Sequence, residues 1–246
     1  MARHELLNNV AHQQLRVVTR FGREYGDDVG MVSAYPTEFA ELQREYPIFL
    51  RKDRQDGHWQ AVALLGFEAH ENLFVQDGRW NAAYLPGAIA KGPFLIGFQE
   101  QRIDGELRRE PVIHVDVEHP RVSFSEGEAV FLPHGGNSPY LEHISGVLRG
   151  LRDGLEAATA MYAAYDALGL IQPMNLELQL DTQHRVSLAG LHGIDRDRLA
   201  ALDADQLHGL HRSGYLEGVY LLLASLHNLR RLMAEKQRRL RQAEAA

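Results

Sequence analysis

Nine residues in the middle of the chain, Ile113-His114-Val115-Asp116-Val117-Glu118-His119-Pro120-Arg121, bring together two imidazoles, two carboxylates and a guanidinium. If Pro111 to Val117 forms a strand, side chains alternate between faces, and His114 and Asp116 share one of them. A His-x-Asp pair so placed supplies two of the three ligands of a non-haem iron facial triad, with His119 nearby or a distal His184 or His192 as the third. Such a centre implies an oxygenase using iron(II) with 2-oxoglutarate or another co-substrate. The same residues suit a structural strand end equally well. Asp116 can pair with Arg121 or cap the turn, and among 13 histidines a chance His-x-Asp is expected.

Other chemistries are thinner. The chain has no cysteine, which excludes disulfides, thiolate metal sites and cysteine nucleophiles. It has no phosphate loop, no dinucleotide-binding glycine fingerprint, no Gly-x-Ser-x-Gly elbow and no His-Glu-x-x-His helix. The nearest approach, His134-Gly135-Gly136-Asn137-Ser138, could cradle an anion ahead of a helix, but a capping turn explains it more simply.

The elements that must position these groups are legible from periodicity. Leu15 to Phe21, Met31 to Tyr35, Ile48 to Leu50, Trp59 to Phe67, Phe94 to Phe98, Pro111 to Val117 and Val122 to Phe124 read as strands. Turns are marked at Asp77-Gly78, Asp104-Gly105 and Glu126-Gly127. Between the early strands, Thr37 is placed to cap a helix running through Tyr46. Ser138 followed by Pro139 announces a long helix to about Leu168. Its seam, Leu141, Ile144, Leu148, Leu151, Leu155, Ala158, Tyr162 and Tyr165, steps by threes and fours, and Gly146, Gly150 and Gly154 mark a second face for close approach. A hairpin near 174–194 follows. Asp195 then caps Arg196 to Leu202, and amphipathic helices complete the chain, with Gly209, Gly214 and Gly218 as candidate breaks. The reading is α+β: a β-rich half over 1–135 and a mainly helical half over 136–246, a single domain with one shared core.

With 45% apolar and 24% charged residues among 246, the composition is that of a soluble globular protein. No apolar run is long enough to span a bilayer and the N-terminus has no secretory h-region, which predicts a cytoplasmic location. The net charge of −7 hides a basic end: residues 230–246 carry six basic and two acidic side chains. An acidic body disfavours nucleic-acid binding, and the basic helix end reads as a solvated face that complements the helix dipole.

Several blocks in order, Tyr35-Pro36-Thr37-Glu38-Phe39, Glu45-Tyr46-Pro47-Ile48-Phe49, Ala63-Leu64-Leu65-Gly66-Phe67, Glu71-Asn72-Leu73-Phe74-Val75, Gly92-Pro93-Phe94-Leu95-Ile96, Asp116 through His119-Pro120-Arg121-Val122, and Gly190-Leu191-His192-Gly193-Ile194, resemble the bacterial SapC family over nearly the whole chain. The resemblance implies an accessory role beside halogenase-like and oxygenase-like enzymes and TonB-dependent receptors, in modification or uptake. It also directs attention to Asp116, Pro120 and Arg121 as candidate binding residues, and away from His114, where the family pattern admits other residue types. The expectation is therefore an accessory binding protein with a protein or peptide partner and no cofactor. The iron oxygenase and a surface-layer-associated protein are the alternatives, and a homodimer is compatible with either exposed helix face.

Overall fold

Ile48, Phe49 and Leu50, and likewise Ala61 through Leu64, are buried at successive positions, as strands covered on both faces must be. In the computed structural model, which describes residues 2–53, 57–103 and 106–245, they lie inside a five-stranded antiparallel sheet. Its order is Ile171–Gln179, Arg185–Ile194, Ile48–Lys52, Trp59–Leu64, Met31–Ala34. The long hairpin expected near 174–194 supplies the first two strands. The architecture is α+β, as its mixture of small sheets, a long helix and C-terminal helices requires.

The chain divides into two compact units whose boundary does not fall at residue 135. Unit 1 comprises Met1–Asp27, Asp77–Arg79 and Gly87–Arg152; unit 2 comprises Asp28–Gln76, Trp80–Pro86 and Asp153–Ala246. Each has its own apolar cluster. Unit 1 contains the three-stranded sheet His4–Leu6, Glu106–Asp116, Phe94–Ile103 and a smaller one in which Arg16–Val17 lies between Val122–Ser123 and Glu128–Ala129. Leu15, Phe94, Val115, Leu141 and Ile144 fill its core. The turn at Asp104-Gly105 lies outside the described residues.

The long helix, Pro139–Ala167, starts as its signals require: Ser138 Oγ accepts the Leu141 amide at 3.2 Å. Leu141, Ile144 and Leu148 of its seam are buried in unit 1, and Ala158, Tyr162 and Tyr165 in unit 2, while Leu155 is exposed. Of the glycines, Gly154 has a clear packing reason, since a Cβ there would lie 2.7 Å from that of Tyr35 and 2.5 Å from Thr37 Oγ1. Gly218, inside helix Tyr215–Ser225, similarly admits the Tyr165 hydroxyl, which donates to the Tyr215 carbonyl at 2.6 Å.

Four local expectations are corrected. The segment after Tyr35 is a 3-10 turn, Pro36–Glu38, leading into the short helix Phe39–Leu42, and it is Glu38, not Thr37, that completes its start, accepting the Tyr35 amide at 3.1 Å. Glu38 is buried, and the Tyr84 hydroxyl donates to it at 3.0 Å. Only Arg16–Val17 of Leu15 to Phe21 is strand. The basic end is not simply a solvated face. In helix Asn228–Glu244, Arg239 donates to the carbonyls of Asn72, Leu73 and Val75, and Lys236 bridges Glu68 and Glu71 at 2.7 and 2.6 Å. Among the helix breaks, only Gly214, at φ +73, terminates one; Gly209 and Gly218 are helical.

Candidate functional site

The window from Ile113 to Arg121 folds as a strand end and a turn. His114 and Asp116 share a face of strand Glu106–Asp116, paired with Leu6 and His4 of the neighbouring strand. Asp116 Oδ1 accepts the amides of Arg3 at 2.9 Å and Glu118 at 3.2 Å. Desolvation works against it, but those two amides hold its carboxyl below the usual range. Pro120 sits exposed in the turn that follows.

Arg121 is paired with Asp27 rather than Asp116. Its Nη2 reaches both Asp27 oxygens at 2.7 and 2.6 Å, Nη1 donates to the carbonyls of Val18 and Arg20, and the guanidinium lies over the rings of Phe21 and Tyr25. Both partners are about 5% exposed, so this cation is enclosed and coordinated by its own chain. His119 Nδ1 accepts the Arg121 amide at 3.1 Å. Burial, reinforced by the Arg121 and Lys91 cations and opposed by Asp116 and Asp27, lowers its pKa. His114 Nδ1 is buried without a partner, its ring packed on Gly97, where a Cβ would stand 2.3 Å away.

The distal histidines lie in unit 2. His184 closes the turn of the hairpin through Asp181 at 2.9 Å, and His192 lies on strand Arg185–Ile194. Among the described residues, no group of three or more His, Asp or Glu is arranged to hold a metal ion. Every polar atom of the Arg121 guanidinium for which a partner is seen is directed inward, which makes the pair a brace for the turn.

A different corner, within unit 2, has donors in excess of acceptors. Strand Ile48–Lys52 pairs with Trp59–Leu64 along its whole length, but with Arg185–Ile194 only at Leu50, opposite His192. The reason is Gly190, whose φ of +76 is in the left-handed region and turns the outer strand away. Near this point lies a cavity of about 540 Å³ lined by Arg51, Lys52, Asp53, Ala189 through His192 and, from the strand beyond Trp59–Leu64, Met31. Arg51 and Lys52, as neighbours on a strand, project to opposite faces and flank its edge.

The hydrogen bonding at this notch is incomplete. Arg51 Nη1 lies 3.4 Å from the Met31 thioether, a weak acceptor, and Arg51 Nε is buried without any partner. No carboxylate pairs with Arg51 among the described residues. Asp53, the acidic residue of the lining, accepts from Gln60 at 3.3 Å. Lys52 stands 4.8 Å over the Trp59 ring, which meets His192 edge-on at 4.8 Å, and both Trp59 Nε1 and His192 Nδ1 are buried and unpaired. A half-enclosed guanidinium lacking a counter-ion among the described residues is suited to receive a carboxylate or phosphate from outside the chain.

Sequence reasoning placed His192 here only as a distant metal ligand and missed Arg51 and Lys52. The available signals were two adjacent cations ending an apolar strand and the Gly190-Leu191-His192-Gly193-Ile194 block, which forms the opposite wall.

The fold is that of an α+β protein, and this corner is a cavity beside Arg51, whose Nε lacks a partner. The chain belongs to the SapC family: the family model matches residues 7–232, spanning both units. No curated protein and no solved structure matches it.

Proposed function

We propose that this SapC-family chain is an accessory binding protein that receives an anionic group of a partner in the cavity lined by Arg51 and by Ala189 through His192. The observation that carries the reading is Arg51, a half-buried guanidinium with a free Nε donor and no carboxylate partner among the described residues, at a cavity of about 540 Å³. That volume lies in the range of small-ligand sites, roughly 300–1,000 Å³. Leaving such a donor buried and unpaired costs about 1–3 kcal/mol, which an incoming carboxylate recovers as binding energy. In this reading the chain works from the cytoplasm for a modification or uptake pathway, presenting or retaining a substrate while another protein performs the chemistry.

Trp59 provides the test. Titration of succinate or inorganic phosphate should change the fluorescence of the wild-type protein saturably, and Arg51→Gln should weaken the response at least tenfold. A response identical in the two proteins, or none in either, contradicts the reading.

A further inference from the structure

A second cavity within unit 2, of about 290 Å³, is lined by both the five-stranded sheet and the long helix. Small side chains make the room. Ala34 and Ala61 are register partners on strands Met31–Ala34 and Trp59–Leu64, and Ala158 of helix Pro139–Ala167 lines the same space. Trp59, two residues from Ala61, shares its face of the strand. Leu155, Ala158 and Tyr162, spaced by three and four, share a face of the helix. Leu155 belongs to the apolar seam yet is 61% exposed, so this wall of the cavity presents apolar surface to water.

Two donors in the lining have no acceptor. Tyr162 is 2% exposed and its hydroxyl has no hydrogen-bond partner, and Trp59 Nε1 is buried and unpaired as well. The backbone group acting on the Tyr162 oxygen, the Ala61 N–H, is itself a donor, so it is the hydroxyl proton that lacks a partner. Burial holds the Tyr162 pKa well above the usual tyrosine value, which keeps that proton in place at neutral pH. An indole N–H can only donate. The other tryptophan, Trp80, does so, to the Tyr46 hydroxyl at 2.8 Å. A buried donor left unpaired is costly, and an acceptor brought in by a ligand removes that cost.

We infer that this cavity binds a small uncharged aromatic molecule bearing one oxygen acceptor, such as an aryl ketone. Its ring would lie against Ala34, Ala61, Leu155 and Ala158, and its oxygen would serve the Tyr162 and Trp59 donors. A carbonyl oxygen has two lone pairs, one for each. The size is suitable: an apolar cavity of about 150 Å³ accommodates benzene, so about 290 Å³ admits a substituted ring. The lining disfavours an anion, because among the described residues it contains the Asp53 carboxylate and neither Lys nor Arg. The inference is independent of the anion-binding reading, which concerns Arg51 in a different cavity.

The indole N–H signals of Trp59 and Trp80 in proton–nitrogen correlation spectra of the full-length protein provide the test, with Trp59 assigned by its absence in Trp59→Phe. Acetophenone should move the Trp59 signal saturably and leave Trp80 in place. Tyr162→Phe should weaken acetophenone binding at least fivefold and leave the binding of ethylbenzene, which has a similar shape and no oxygen, unchanged. Ala158→Leu, which fills the cavity, should abolish the response to both probes, and melting curves confirm that each variant is folded. The response should persist in Arg51→Gln. No movement of the Trp59 signal, or acetophenone bound by Tyr162→Phe as tightly as by the wild type, overturns the inference. A response abolished by Arg51→Gln assigns the probe to the other cavity and overturns it as well.

Discussion

At the scale of single residues, the two arginines that look alike in sequence have opposite roles. Arg121 is enclosed by Asp27, two carbonyls and two aromatic rings, so its interactions are internal. Removing one partner of such a pair leaves a buried charge uncompensated. Asp27→Ala should therefore destabilise the protein by about 3–5 kcal/mol in urea unfolding, while leaving the affinity for succinate unchanged in the folded fraction. Arg51 should behave in the opposite way, with little loss of stability and a large loss of binding. His119 adds a pH dependence. Its pKa is lowered in the folded state by burial first and then by Arg121, so the unfolded chain binds the proton more readily. The contribution is fully present above the unfolded value near ~6.5 and is lost as pH falls through the folded pKa. Unfolding free energy should thus decline on acidification below that value, and His119→Asn, which keeps an acceptor for the Arg121 amide, should flatten this part of the profile. A profile unchanged by the substitution would remove His119 from the account.

At the scale of elements, the notch depends on one backbone conformation. Gly190 holds φ +76, and any residue with a Cβ is disfavoured there by roughly 1–2 kcal/mol. Gly190→Ala is expected to lower stability by about that amount and to weaken succinate binding, because an extended residue there would redirect the strand that forms one wall of the cavity. Retained affinity in this variant would show that the departure of the strand is incidental. This dependence also explains the limits of the sequence reading. The hairpin, the strand Met31–Ala34 and the Ser138 cap follow from local alternation and capping chemistry and were legible. The Glu38 start was not, because its capping carboxylate also needs Tyr84, which lies far along the chain. Of the two roles open to Asp116, pairing with Arg121 or capping the turn, the structure shows the cap, and the partner of Arg121, Asp27, was not legible because it lies 94 positions away. Arg51 was overlooked because a missing counter-ion is a property of packing, not of spacing.

At the scale of the whole molecule, the family match from 7 to 232 covers both units and stops just before a set of tertiary contacts. Beyond residue 232, Lys236 and Arg239 engage Glu68, Glu71 and the carbonyls of Asn72 to Val75. Hydrogen bonds to charged groups contribute about 1.5–3 kcal/mol each when well buried, and these are partly exposed, so the lower end applies. A chain ending at Met233 should melt at lower temperature and exchange amide hydrogens faster over residues 66–75; unchanged exchange there would mean that the basic end is only a solvated face.

The central claim is that Arg51 Nε–H is a buried donor awaiting an anion. Proton–nitrogen correlation spectra of protein labelled at arginine Nε observe that group directly, with its resonance assigned by its absence in Arg51→Gln. Addition of succinate should move the Arg51 Nε–H signal saturably downfield, as a new charge-assisted hydrogen bond forms, and leave Arg121 in place. An Arg51 signal that does not respond, or a response shared equally by all arginines, would contradict the account.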